Sequence, residues 1–96
     1  MLDKAAQAAD LLKNLANEKR LVILCELLNG ERSVGELEKT VGLSQSALSQ
    51  HLAKLRHNNL VKTRRESQVI FYSVSDPNVA RLLTVLHEIY CAPEKS

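Results

Sequence analysis

Leu43–Arg56 reads LSQSALSQHLAKLR. Leu48, Leu52 and Leu55 recur at the spacing of one helical face, which predicts an amphipathic helix with a leucine stripe turned inward. At about 100° per residue, Ser46, Gln50 and His57 lie nearly opposite Leu48, flanked by Ser49 and Lys54. The outward face is therefore short, polar and almost uncharged. That chemistry suits the edge of a base in a major groove ~12 Å wide. Gln45 and Gln50 can pair with adenine, Ser46 and Ser49 with bases or phosphates, and Lys54 with a phosphate. Ser44 caps the helix and stands at its groove-facing end, so it joins the candidate contacts. His51 sits close to the leucine stripe, where a packed histidine and a base reader are both open.

A solvent-exposed helix face would look the same in isolation, and the neighbouring segments decide between the two readings. Ser33-Val34-Gly35-Glu36 fits a capping box that starts a short helix over 33–41, ended by Gly42. With Ser44 starting the next helix over 44–58, only a tight turn separates the two, a helix-turn-helix. Beyond Asn58-Asn59, two β-rich runs surround the polar segment 65–68 and predict a hairpin wing over 60–73. Between Lys54 and Arg65 stand Lys54, Arg56, Lys62, Arg64 and Arg65 with no acidic residue, a footprint for a phosphate backbone. Arg64 and Arg65 are the wing's candidate contacts to phosphate or the minor groove.

The flanks are helical. Leu11, Leu12 and Leu15 mark a first helix over 2–15. Asn17 caps a second over 17–29, whose stripe carries Leu21, Leu24, Cys25 and Leu28 before Asn29-Gly30 closes it. Asp76-Pro77 starts a last helix over 76–91. Val79, Leu83, Leu86 and Tyr90 line one of its stripes; Leu82, Val85 and Ile89 line another. So wide an apolar surface exceeds what one small core can cover, and predicts a homodimer formed by the last helix beside the first.

The composition fits one soluble domain that gains from a partner subunit: 96 residues, 45% hydrophobic, 25% charged. A net charge of +2, from 13 basic and 11 acidic residues, is too small to identify a DNA binder without the local clustering. No apolar run is long enough to span a membrane, and the N-terminal stretch does not read as a signal peptide, so a cytoplasmic location is expected. There is no C-x-x-C and no nucleophile–base–orienter set, which argues against a thiol oxidoreductase or any other enzyme. No cofactor is expected.

Residues 34–74, VGELEKTVGLSQSALSQHLAKLRHNNLVKTRRESQVIFYSV, resemble the winged helix-turn-helix of the ArsR family of bacterial repressors, and with the flanking helices the likeness covers nearly the whole chain. SQSALSQHL at 44–52 is fairly specific to that family. The resemblance implies a mainly α fold with a β-hairpin wing, a homodimer joined through first and last helices, and binding to an imperfect palindromic operator that an inducer reverses. The family's arsenic site needs cysteines in the helix that here reads SVGELEKTV, so that site is missing. Its zinc site needs paired ligands on the last helix, but Asn78 follows Asp76 and Tyr90 follows His87 at the required spacings. No metal is expected there.

Two cysteines remain, Cys25 and Cys91. In a reducing cytosol each is a core filler or a reactive thiol. Cys25 substitutes readily for a small hydrophobe on a leucine stripe. Cys91 falls outside both stripes of the last helix, four residues after His87. One cysteine in the second helix and one at the end of the last resemble the dithiol branch of the ArsR family that senses sulfide-derived persulfides. This implies a di-, tri- or tetrasulfide bridge between Cys25 and Cys91, formed by reactive sulfur species, that releases the operator. A disulfide requires the two Cα atoms within about 7 Å, and inserted sulfur relaxes that limit. A soft metal ion held by Cys25, Cys91 and His87 is the closest rival.

Overall fold

The leucine stripe of the opening stretch is the floor of the core. In the computed structural model, which describes residues 2–90, the helix α4 spans Gln45–His57 and buries Leu48, Leu52 and Leu55 to within 1% exposure. Before it come α1 (Leu2–Leu15), α2 (Glu18–Leu28), a short strand β1 (Arg32–Ser33) and α3 (Val34–Val41). After it come β2 (Val61–Glu66), β3 (Val69–Val74) and α5 (Pro77–Tyr90).

Local chemistry sets the helix starts. The Asn17 side chain accepts hydrogen bonds from the backbone N–H groups of Lys19 and Arg20. Ser33 and Glu36 close a reciprocal capping box, Glu36 N–H donating to Ser33 Oγ and Ser33 N–H to Glu36 Oε1. Ser44 Oγ accepts from Ala47 N–H at 3.1 Å. Gly42 ends α3 at φ 68°, a left-handed conformation that glycine adopts without a Cβ penalty. The turn from Gly42 to Ser44 is thus fixed at both ends, and so is the angle between α3 and α4.

α2 is the hub, packing against α3, α4, α5 and β3. Its fully buried residues are Ile23, Leu24 and Leu27, while Leu21, Cys25 and Leu28 are partly covered. The stripe expected from Leu21, Leu24, Cys25 and Leu28 is therefore rotated. Neighbours on several sides bury a wider arc than a one-sided periodicity describes. From the rest of the chain, Leu15, Leu37, Val41, Leu60, Val61, Val79 and Leu83 complete the core.

α4 ends in a Schellman motif. Asn59 takes φ 62°, its N–H bonds to the Arg56 carbonyl at 3.0 Å, and Leu60 N–H bonds to the Leu55 carbonyl at 2.9 Å. Leu60 is buried there, which sends the chain directly into β2. The wing is a three-stranded antiparallel sheet in the order β1-β3-β2. The β1 strand was not expected; it pairs Arg32 with Tyr72 and Ser33 with Phe71. Ladder pairing continues through Glu66↔Val69, so the hairpin turn is only Ser67-Gln68, shorter than the polar tip expected over 65–68. Ser67 supplies the turn at φ 59°.

Candidate nucleic-acid interface and thiol groove

The outward face of α4 carries what its sequence pattern predicts. Gln45, Ser46, Ser49, Gln50 and Lys54 are all exposed, and α4 is anchored beneath them by its three buried leucines. No intramolecular hydrogen bond is formed by these five side chains among the described residues, so their donors and acceptors face solvent. Ser44 is also exposed but has a structural duty, since its oxygen holds the helix cap. Its hydroxyl proton remains available to donate.

His51 lies half-buried behind this face. Burial lowers its pKa first, and the positive charges of Arg20, Lys54 and Lys19 lower it further. Burial and these charges together disfavour the protonated imidazole, and the Arg20 guanidinium donates to the Asn14 carbonyl at 3.1 Å.

The wing arginines differ. Arg65 is exposed and meets no carboxylate among the described residues. Arg64 forms two hydrogen bonds with Glu31, Nε to Oε2 at 2.9 Å and Nη2 to Oε1 at 2.8 Å, and lies 3.3 Å from Glu66. Its hydrogen bond to Glu31 holds that carboxyl below its usual range. Arg56, of the basic stretch, and His57, of the outward face, line a 420 Å³ depression with Ser49, Ala53 and Tyr72 between α4 and the wing.

On the far side of the core, Cys25 is half-buried and lines a groove of about 700 Å³ between α2 and α5. Leu21, Val22 and Leu86 form its apolar wall, with His87 and Tyr90 at the α5 end and Glu18 and Glu26 on the α2 side. Cys91 lies outside the described residues. Tyr90, its predecessor in sequence, belongs to the same groove as Cys25. Among the described residues no group of three or more His, Cys, Asp or Glu side chains is arranged to hold a metal ion. Among them, too, no helix is long and apolar enough to cross a membrane.

Residues 17–63, which hold the helix-turn-helix, match the model of the bacterial regulatory protein arsR family. The chain is 54% identical over 91 residues to the transcriptional activator HlyU of Vibrio cholerae, covering 95% of this chain and 84% of that protein. The chain belongs to the ArsR family. The structure of reduced HlyU from Vibrio cholerae superposes on this ArsR-family chain with a TM-score of 0.91, over 95% of this chain and 96% of that one. A biofilm growth-associated repressor of Xylella fastidiosa is 44% identical over 95 residues, covering 99% of this chain and 83% of that protein. The homodimeric winged helix-turn-helix DNA-binding domain of a regulator from Mycobacterium bovis superposes at a TM-score of 0.80 with 33% identity, over 92% of this chain and 82% of that one. This ArsR-family chain is thus a transcriptional regulator with a winged helix-turn-helix fold, and its likeness is to regulators rather than to enzymes.

Proposed function

We propose that the chain is a homodimeric repressor that binds an imperfect palindromic operator and releases it when reactive sulfur species bridge Cys25 and Cys91. Ser46, Ser49 and Gln50 read bases from the major groove, with Gln45 beside them. Ser44, Lys54 and Arg65 meet the phosphate backbone, and His51 acts from behind the face by packing. Leu82, Val85 and Ile89, exposed at 39%, 50% and 63%, form the dimer surface with α1. Half-sites about one helical turn apart, ~34 Å, tie operator affinity to the angle between the two subunits.

The observation that carries the switch is the groove between α2 and α5, which Cys25 shares with Tyr90. In the proposed chemistry, one thiolate takes a sulfur atom from a persulfide RSSH and releases RSH. The second thiolate then attacks the modified cysteine and expels hydrosulfide, leaving a disulfide. When the first cysteine carries two added sulfur atoms, the same displacement leaves a trisulfide. Either bridge ties α2 to the end of α5, the helix that carries the dimer surface. Rotation of the subunits then misaligns both reading helices.

The test is operator binding after treatment with glutathione persulfide. Release by the wild-type chain and retention by Cys25→Ser and Cys91→Ser support the switch; release by both variants rejects it.

A further inference from the structure

The third strand supports only the base of the wing. β1 pairs with β3 at Tyr72 and Phe71, whereas the β2–β3 ladder runs on to Glu66↔Val69. Past Phe71 the wing is a two-stranded ribbon, marginal by itself and free to twist. The exposed Arg65 belongs to that ribbon, opposite Ile70.

Arg64 sits where the support ends. It lies directly across from Phe71, so both side chains stand on one face of the sheet. Its guanidinium carbon is 4.7 Å from the centre of the Phe71 ring, a cation–π distance. From there the side chain crosses β3 to the bidentate contact with Glu31, the residue that leads into β1. Adjacent strands are ~4.8 Å apart, so the contact spans two strand spacings, from one edge of the sheet to the other. Glu66 adds a second carboxylate. One cation against two carboxylates leaves no positive charge for a phosphate, and a phosphate arriving there would face both acids.

We propose that Arg64 is a positioning residue for DNA binding: it straps the wing to the α2–β1 turn through Phe71 and Glu31, so that Arg65 is presented at a fixed angle, and it neutralises no phosphate itself. The proposal rests on the DNA-binding reading and is independent of the thiol switch.

The two roles give opposite signs for one variant. Glu31→Gln removes a negative charge and leaves every cation in place, so simple electrostatics tightens DNA binding. The strap weakens it, by about five-fold on the scale of a well-formed exposed ion pair. Arg64→Lys keeps the charge but loses the fork that grips Glu31, and weakens binding to a similar extent. The double variant loses no more than either single one. The measurement is anisotropy of a fluorescent duplex, selected by the wild-type chain from a random pool, across a salt series, with circular dichroism confirming the fold of each variant. For the strap, the slope of log affinity against log salt is the same in the wild type and Arg64→Gln; for a phosphate contact, it falls by about one in Arg64→Gln. Equal or tighter binding by Glu31→Gln, or that loss of slope, overturns the strap while leaving DNA binding intact. A wild-type chain that enriches no sequence overturns the DNA-binding reading and the strap with it.

Discussion

Leu60 N–H donates to the Leu55 carbonyl at 2.9 Å, joining the last turn of α4 to the first residue before the wing. The bond closes over Asn59, held at φ 62°. Both leucines are buried, so the end of α4 and the start of β2 share one piece of core. The outward face of α4 and the wing are therefore joined through one piece of core, and the junction is sensitive to the residue at position 59.

Asn59→Gly is expected to leave stability unchanged or raise it slightly, and Asn59→Ala to lower it by about 1 kcal/mol, because a Cβ without a compensating polar group is disfavoured in the left-handed region. Urea denaturation of the two variants checks this. Equal stability of Asn59→Ala and wild type would show that the junction bears no strain.

Along α4, the proposed contacts divide between specificity and affinity. Gln50→Ala is expected to relax the preference at one base pair, costing ~1–3 kcal/mol of discrimination. Lys54→Ala is expected to weaken binding to all sequences alike and to reduce the salt slope by about one. Competition binding with single-substituted operators distinguishes these patterns.

His51 predicts a pH effect with a definite sign. Its folded-state pKa lies below the ordinary value of 6.5, chiefly through burial. The unfolded chain therefore binds more protons in the window between the two values, and stability rises with pH across it. Seen from the other side, the contribution is complete above about 6.5 and is lost as the pH falls toward the folded value. His51→Gln should flatten the pH dependence of the denaturation midpoint between pH 7.5 and 5.5.

The exposed stripe of α5, Leu82, Val85 and Ile89, is the proposed dimer surface. Leu82→Glu with Val85→Glu is expected to give a folded monomer with little operator affinity, since neither side chain belongs to the buried core. Sedimentation velocity checks the mass. A double variant that remains dimeric would place the interface elsewhere.

What could be read from the chain in advance was whatever short-range chemistry controls. Asn17, the Ser33–Glu36 pair, Gly42 and Ser44 act on backbone groups within three residues, so their patterns are visible without any fold. The leucines of α4 were legible because one face of that helix is buried and the other is open. β1 was not, because two residues hold no periodicity and its pairing depends on β3, far along the chain. The rotated stripe of α2 likewise reflects neighbours that local spacing does not contain. Among the candidate contacts, Arg64 and Arg65 are indistinguishable as adjacent letters. Alternation along β2 sends them to opposite faces, and only the fold brings Glu31, 33 positions away, to one of them.

The most direct test of the switch joins two readings of one sample: intact mass and operator anisotropy, before and after glutathione persulfide, on the reduced wild-type chain and on Cys25→Ser and Cys91→Ser. The wild type is expected to lose two hydrogens, with or without added sulfur atoms, in step with operator release, and both variants are expected to stay bound. Release without any bridged species, or release by both variants, would contradict it.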